Sequence, residues 1–220
     1  MKLAVVVIGD GRKSYLDQCV PAISANVTHP IYARIMVNDE ADPAYCATLN
    51  TEYPEWVHVH TGRVGMAGAV QAGYDAALAF SPDYTLWVEE DMMLTRPLPI
   101  TDVAVVLGSR RDEDGHRLAQ MMFPREPWWN DMEQQHGQWG ALRLLAEFPT
   151  VHDSYLSQDY IFSLNPCLIP RRVLQLGWDA DNEAGVTKKL LDDGYVFGVW
   201  GSGETYARHV GHERSAGWQL

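Results

Sequence analysis

Blocks of apolar residues alternate with polar segments along the first part of the chain. The run Leu3–Ile8 is continuous and β-branched, which is typical of a strand covered on both faces by helices. A helix is predicted from Tyr15 to about Ala25. Three further strands are predicted by IYARIMVNDE, EWVHVH and YTLWVEED, and GRVGMAGAVQAGYDAALAF predicts a helix that packs closely on a sheet. This alternation predicts a mainly parallel α/β sheet.

The second part of the chain is less regular. ITDVAVVLGS predicts a short helix, and strands are predicted by LAQMMFPR, YIFSLNPCLIP and YVFGVWG. A helix is expected from Asn182 to Asp193, with Asp181 or Asn182 as its N-cap and Gly194 ending it. EPWWNDMEQQHGQWG is polar and rich in Trp, which favours a loop or lid. The sequence shows no repeat or linker, so we expect one compact domain.

Composition narrows the possible functions. The formal net charge of −12 disfavours a nonspecific binder of nucleic acid or anionic membranes, although it leaves room for a local basic site for a phosphorylated ligand. The three cysteines are far apart and form neither a zinc pattern nor a disulfide framework. The first apolar run is too short for a signal peptide or a membrane span. We therefore expect a cytoplasmic protein.

Carboxylates gather where predicted strands end. Glu89, Glu90 and Asp91 follow the fourth strand, while Asp10 and Asp39 follow the first and second. Ligands of such sheets bind beyond the carboxyl ends of the strands, and clustered carboxylates suit a hard divalent cation. An acidic strand end that is simply solvated is the alternative for the triplet alone. The convergence of several strand ends favours a metal site.

Five segments, in order, resemble a known family. They are Asn38-Asp39 after the second strand, Gly65–Gly73 (GMAGAVQAG), Glu89-Glu90-Asp91, NEAGVTKKLLDDGY from Asn182, and HVGHERSAGW from His209. Together they resemble the GT-A glycosyltransferases, in particular the inverting family two of nucleotide-sugar-dependent enzymes. Three residues depart from the family pattern: Gln71 replaces an Asn, and Glu89 and Glu183 each replace an Asp.

The resemblance implies a GT-A, Rossmann-like fold with a mixed, mainly parallel sheet flanked by helices. It implies a nucleotide-sugar-binding half in residues 1–95 and an acceptor-binding half in residues 96–220, whose C-terminal tail closes over the metal. The donor would be a nucleoside diphosphate sugar, most simply a UDP-sugar, and the cofactor Mn²⁺, with Mg²⁺ possible. The acceptor would be a hydroxyl of a glycan, protein, lipid-linked or small molecule, and nucleic acid is disfavoured.

The resemblance also assigns metal and nucleotide residues. Asp91 and then Glu89 are the expected metal ligands, joined by His209, which fits the His-x-Gly pattern better than His212. Glu90 should point to the opposite face if the strand alternation continues through it. Contacts to the nucleotide sugar are expected from Gly9, Asp10, Asp39, Arg63, Gly65, Gln71, Glu89 and Glu90. Asp39 would read a base N–H, or else serve as a helix cap or turn residue.

Catalytic and acceptor roles complete the expectations. Glu183 is the expected base, with Asp181 as the alternative, because an inverting transfer needs a group to deprotonate the acceptor. Its place at a helix start predicts that it stays ionised and only modestly basic, unless it merely caps the helix. Trp128, Trp129 and Trp139 would form an acceptor platform, or else pack in the core. The rival classes are a sugar-nucleotide nucleotidyltransferase and a noncatalytic nucleotide-sugar binding module.

Overall fold

A computed structural model of the chain describes residues 1–109, 116–126, 150–151, 154–201 and 204–211. The strands are β1 (Leu3–Gly9), β2 (Ile31–Asn38), β3 (Val57–His60), β4 (Tyr84–Glu89), β5 (Met92–Leu94), β6 (Arg117–Met122), β7 (Arg125–Glu126), β8 (Thr150–Val151), β9 (Tyr155–Gln158), β10 (Cys167–Pro170), β11 (Tyr195–Trp200) and β12 (Ala207–His209). The helices are α1 (Lys13–Asn26), α2 (Pro43–Glu52), α3 (Gly65–Ala79), α4 (Ile100–Gly108), α5 (Arg171–Leu174) and α6 (Glu183–Asp192). Within these ranges no helix has both the length and the apolar character needed to cross a membrane.

Nine of the strands form one sheet in the order β3-β2-β1-β4-β10-β6-β11-β9-β8. The first four are parallel neighbours, β10 runs against both β4 and β6, and β11 again runs parallel to β6. β9 is antiparallel to β11 and β8. Most strands therefore share one direction, and the predicted mixed, mainly parallel sheet is confirmed.

The uninterrupted apolar character of β1 follows from helices on both sides of the sheet. Leu3, Val5 and Val7 belong to a buried cluster that also contains the apolar sides of α1 and α4. Val6 and Ile8 belong to a second cluster, with α3 and α6. A Cβ on Gly73 would lie 2.7 Å from the Trp87 ring, so the absence of a side chain lets α3 pack closely on β4.

The local predictions hold in part. Helix α6 begins after Asn182, whose side chain accepts a hydrogen bond from Gly185 N at 3.1 Å, and Gly194 follows it with a φ of 76°. The strand predicted over YIFSLNPCLIP is wrong for most of its length, because only Cys167–Pro170 pairs. Helix α2 and strand β9 were not predicted.

A second sheet of three short strands, in the order β5-β12-β7, positions the segment 204–211. β12 pairs antiparallel with β5 and parallel with β7. Thr95 N donates to Tyr206 O at 2.9 Å, and Val210 N donates to Asp91 O at 2.8 Å. The segment 204–211, called the tail segment below, is thereby held against the turn that follows β4.

Candidate functional site

The acidic triplet spans the end of β4 and the turn into β5. Glu89 is the last residue of β4, and Glu90 and Asp91 form the turn. Glu90 N donates to Ile8 O at 2.8 Å, so the turn folds over the end of the neighbouring strand β1. Carboxylates from two parts of the chain are therefore brought to one edge of the sheet, at the carboxyl ends of β1 and β4.

Glu90 is buried within this turn. Its Oε1 accepts hydrogen bonds from Asp10 N at 3.0 Å and from Arg12 Nε at 2.8 Å. A Cβ on Gly9 would overlap the Glu90 carboxylate, so Gly9 leaves the space this side chain occupies. Burial raises the pKa of Glu90, while the Asp10 N–H and Arg12 oppose that rise. The expected strand alternation is wrong here, because β4 ends at Glu89 and Glu90 lies at the same edge as Asp91.

Asp91 meets the tail segment. Its Oδ2 lies 3.4 Å from His209 Nε2 and 3.1 Å from Arg12 Nη1. Burial by itself would raise the pKa of Asp91, but the hydrogen bond to His209 and the charges of Arg12 and His209 lower it. A Cβ on Gly211 would overlap the Asp91 carboxylate, so the chain passes Asp91 closely only because a glycine stands there.

The donor chemistry of Asp91 and His209 can be compared with that of the implied metal. One carboxylate and one imidazole form a mixed oxygen and nitrogen set, which suits Mn²⁺ better than Ca²⁺. Within the part of the chain that the structure describes, no three His, Cys, Asp or Glu side chains gather around one point. The donor types of Asp91 and His209 are therefore compatible with the implied metal. His212 lies outside the described residues.

Glu89 and Glu183 are half-buried carboxylates near the site. Burial raises the pKa of Glu89 well above its usual range, the charges of Asp91 and Glu183 raise it further, and Arg125 and Arg12 act against the rise. The charge of Glu183 acts on Glu89, so the two carboxyl groups are close enough for one charge to affect the other. Glu89 ends β4 just before the turn that carries Asp91, next to the Asp91–His209 pair.

Glu183 lies in the first turn of α6. Its Oε1 accepts a hydrogen bond from Leu164 N at 2.6 Å. Burial raises the pKa of Glu183, and hydrogen bonds from Leu164 N and the Ser163 side chain oppose that rise. The expectation of a helix-stabilised, only modestly basic carboxylate did not include this burial, and the role of Glu183 as the base stays a prediction. Asp181 is exposed, and Asn182 is the residue that caps the helix.

Asp39 stands at the carboxyl end of β2 and at the start of α3. Its Oδ1 accepts hydrogen bonds from Thr61 Oγ1 at 2.5 Å and Val64 N at 2.9 Å, and its Oδ2 accepts from Gly65 N at 2.9 Å. The buried carboxylate thus satisfies backbone N–H groups at the start of this helix. This is the helix-cap alternative, and base reading by Asp39 stays a prediction.

Three more predicted nucleotide contacts lie around Asp39. Arg63 has a φ of 67°, donates its backbone N–H to Asp39 O at 2.8 Å, and pairs with Glu40 at 2.6 Å. The N–H of Gly65, which has a φ of 82°, bonds Asp39 as above. Burial and then the charge of Asp39 raise the pKa of the buried Asp10, against the influence of Arg12 and Arg63. The structure therefore brings these residues together at the ends of β1 and β2.

The side chain of Gln71 contacts residues other than those around Asp39. Its Oε1 accepts a hydrogen bond from Trp178 N at 2.6 Å, and its Nε2 donates to Asp75 Oδ1 at 2.8 Å. The side chain therefore ties α3 to the segment that follows α5. Its amide is occupied by contacts within the protein, and a contact with the donor stays a prediction.

Two arginines at the site were not identified from the sequence. Arg12 directly follows Gly11, and Arg125 follows the apolar run LAQMMFP. Arg125 is buried, and its Nε donates to Asn165 Oδ1 at 2.7 Å. A single arginine beside a turn carries no sequence motif, so only the three-dimensional arrangement shows that both face the acids.

The predicted acceptor platform cannot be located. Trp128, Trp129 and Trp139 lie outside the described residues.

A depression with a volume of about 410 Å³ lies beside the Asp39 region, between α2 and the end of β3. It is lined by Glu40, Cys46, Asn50, His60 and Thr61, among others.

No protein-family model matches the chain, and no curated protein sequence does. Solved structures do match. S. aureus TarS 1–349 has a TM-score of 0.60 at 10% identity, over 96% of this chain and 60% of that chain. The mannosyltransferase PcManGT from Pyrobaculum calidifontis, in complex with GDP-Man and Mn²⁺, has a TM-score of 0.57 at 14% identity, over 95% of this chain and 56% of that chain. GalNAc-T7 with UDP, GalNAc and Mn²⁺ has a TM-score of 0.59 at 11% identity, over 99% of this chain and 45% of that chain.

These likenesses concern the fold. At such low identity they show that the chain has the GT-A fold, as the sequence resemblance implied. The chain spans 60% of the TarS structure's length, and smaller shares of the two others. What each of those proteins binds is a property of that protein.

Proposed function

We propose that the chain is a glycosyltransferase that moves a sugar from a nucleoside diphosphate sugar to an acceptor hydroxyl, with a divalent metal and with inversion. The observation that carries the proposal is the meeting of Asp91 with His209 at the carboxyl end of β4. This carboxylate and this imidazole come from distant parts of the chain, and the charge of Glu183 acts on Glu89 next to them. Ligands of open α/β sheets bind at this edge.

The nucleoside would lie at the ends of β1 and β2. Asp10, Asp39 and Arg63 are neighbours there, next to the depression lined by Glu40 and His60. Asp39 Oδ2 accepts one hydrogen bond among the described contacts, so it keeps an acceptor position for the N–H of a uracil. Solved structures of similar fold contain UDP, UDP-GlcNAc or GDP-Man, and a UDP-sugar is the donor proposed here.

Asp91 and His209 would hold the metal, as Mn²⁺ or Mg²⁺. When bound, the metal neutralises negative charge that develops on the leaving diphosphate. Glu89 would stay beside the ligand pair, in a position where its burial and the charge of Asp91 disfavour its ionised form. The positive charge of Arg125 acts on Glu89 and opposes the rise of its pKa.

Glu183 would remove the proton from the acceptor hydroxyl as that oxygen attacks the anomeric carbon opposite the diphosphate. Its raised pKa makes the ionised form a stronger base than an ordinary glutamate. The hydrogen bond from Leu164 N fixes the orientation of the carboxylate that would meet the acceptor. The acceptor, in the hydroxyl classes named above, would bind on the side formed by residues 96–220, with Trp128, Trp129 and Trp139 as the proposed platform.

The rival classes predict different chemistry. A nucleotidyltransferase would release pyrophosphate from a nucleoside triphosphate, and a binding module would release nothing. The decisive test incubates the protein with UDP-sugars and GDP-sugars, with and without Mn²⁺, and follows both Tm and release of the nucleoside diphosphate. A donor at 100 times its Kd should add about 2.7 kcal/mol to the free energy of unfolding. Slow, Mn²⁺-dependent release of UDP that Asp91→Asn abolishes would support the transferase, whereas a Tm shift without release would favour the binding module.

A further inference from the structure

One guanidinium bridges two acids of the site. Arg12 is the third residue after β1, and its side chain reaches the turn after β4. Its Nε donates to Glu90 Oε1 at 2.8 Å, and its Nη1 lies 3.1 Å from Asp91 Oδ2. Only 21% of the Arg12 side chain is exposed, against 1% for Glu90 and 10% for Asp91, so solvent screens these charges weakly.

The oxygen that Arg12 contacts is the one that faces His209. Asp91 Oδ2 lies 3.4 Å from His209 Nε2 and 3.1 Å from Arg12 Nη1. A cation bound between Asp91 and His209 would use this oxygen. The positive charge of Arg12 therefore lies close to the position that a metal ion would occupy, where the two positive charges would repel each other.

We infer that Arg12 is a built-in competitor of the metal at Asp91 and makes metal binding depend on the donor. The inference rests on the proposed function, since it assumes that Asp91 is a metal ligand. Without donor, Arg12 neutralises Asp91 and repels an incoming divalent cation. With donor, the negative diphosphate attracts the guanidinium away from Asp91 Oδ2, and the metal enters together with the diphosphate.

Glu90 gives Arg12 a fixed anchor for such a movement. Glu90 Oε1 also accepts a hydrogen bond from Asp10 N at 3.0 Å, so this carboxylate is tied to the end of β1. The Nε–Glu90 bond can persist while the Nη1 group turns from Asp91 towards a diphosphate, because the two bonds use different nitrogen atoms of one planar group. Arg12 is thus proposed as a positioning residue that becomes a phosphate contact.

The test measures Mn²⁺ binding directly, by electron paramagnetic resonance of free Mn²⁺ at fixed ionic strength. Wild type, Arg12→Gln and Arg12→Lys are titrated without nucleotide and then with saturating UDP or GDP. Removing a positive charge this close to the ligand oxygen should tighten nucleotide-free Mn²⁺ binding by about tenfold or more. Arg12→Lys should stay near wild type. The factor by which UDP improves Mn²⁺ affinity should be smaller in Arg12→Gln than in wild type.

A second variant guards against disturbed folding. Arg12→Gln leaves Glu90 buried without its cation, so the pair Arg12→Gln with Glu90→Gln is measured too, and it should also bind Mn²⁺ more tightly than wild type. Unchanged or weaker nucleotide-free binding in both variants would overturn the inference, because a purely structural Arg12 would lower the affinity.

Asp91→Asn separates the proposed metal site from the proposed role of Arg12. If it removes Mn²⁺ binding while the Arg12 variants change nothing, the metal site stands and the role of Arg12 fails. If Asp91→Asn binds Mn²⁺ like wild type, both fail.

Discussion

The Nε2 atom of His209 lies 3.4 Å from Oδ2 of Asp91, although the two residues come from distant parts of the chain. The contact depends on backbone pairing. β12 lies between β5 and β7, His209 is opposite Met92, and Val210 N bonds Asp91 O at 2.8 Å. The proposed metal pair therefore exists only while the tail segment is docked, which makes the tail a part of the site.

The first prediction concerns the two proposed metal ligands. Asp91→Asn should weaken Mn²⁺-dependent UDP binding by about 10²-fold or more, or about 2.8 kcal/mol, because it removes the ligand charge. His209→Ala should weaken it by at least about tenfold, since an imidazole ligand is lost while the charge remains. Calorimetry with UDP at fixed Mn²⁺ measures both.

His29→Ala is the matched control for the histidine. His29 borders a different depression, at the amino end of the sheet near Asp83 and Tyr84, and its removal should leave UDP affinity unchanged. His212→Ala should matter less than His209→Ala. The reverse order would move the ligand to His212, and no effect from either histidine would remove the tail from the site.

The second prediction concerns the close passage of the tail past Asp91. Gly211→Ala introduces a Cβ that would overlap the Asp91 carboxylate, so the tail or the carboxylate must shift. Mn²⁺ affinity should fall by at least about tenfold. Val210→Ala, one residue earlier, keeps the backbone hydrogen bond to Asp91 and should retain wild-type affinity. Equal affinities for both variants would show that the tail position is not critical.

The predictable part of the fold is the part with strong apolar patterns. β1, β2, β4 and α3 follow from apolar runs and small residues that pack in the two buried clusters, and β3 follows from the alternation in VHVH. Helix α2 has only Leu49 buried, so it lacks the apolar stripe that identifies a helix, although Asp42-Pro43 is a usable start signal. β9 has the sequence YLSQ, whose two polar residues give no apolar run.

The candidate site could be predicted as a cluster but not as a set of contacts. Acids at strand ends indicated the edge where Asp10, Asp39 and Asp91 lie. The roles of Glu90 and Arg12 could not be obtained, because the turn starts one residue earlier than alternation assumes and the arginine comes from another strand end. The raised pKa of Glu183 also depends on burial by distant segments, which helix position alone does not reveal.

The third prediction separates capping from base reading at Asp39. Asp39→Ala should lower the free energy of unfolding by about 1–2 kcal/mol, since backbone N–H groups at the start of α3 lose their acceptor. If Asp39 also reads uracil, UDP affinity should fall by about 1.5–3 kcal/mol, and by less for a UDP methylated at the uracil N–H. Urea unfolding and calorimetry measure the two effects.

Asp42→Ala provides a cap control away from the acids. Asp42 caps α2 by accepting a hydrogen bond from Ala44 N at 2.9 Å, so its loss should lower stability without changing UDP affinity. An equal loss of affinity for UDP and the methylated nucleotide in Asp39→Ala would show that Asp39 shapes the loop and does not read the base.

The fourth prediction is that Glu89→Gln stabilises the protein near neutral pH. Burial, Asp91 and Glu183 raise the pKa of Glu89, so the folded protein holds this proton more tightly than the unfolded chain. The wild type therefore loses stability as pH rises through the raised pKa, and regains it below the unfolded pKa near 4.5. The Gln variant lacks this dependence. Its advantage in Tm should be present at pH 8 and vanish towards pH 4, while the exposed Glu55→Gln should show no such trend.

The last prediction concerns Glu183 as the base. Glu183→Gln keeps an acceptor for Leu164 N but cannot take a proton, so turnover should fall by about 10²-fold or more while donor affinity is retained. Because burial raises its pKa, wild-type kcat/KM should decline on the acid side above the ordinary glutamate value of 4.5, and the residual activity of Glu183→Gln should lack that decline. The exposed Asp181→Asn is the control and should keep near wild-type turnover. Wild-type turnover in Glu183→Gln with loss in Asp181→Asn would transfer the role to Asp181.

Nuclear magnetic resonance of the first-formed product gives its anomeric configuration. Retention of configuration would contradict the inverting mechanism and the need for a base in this position.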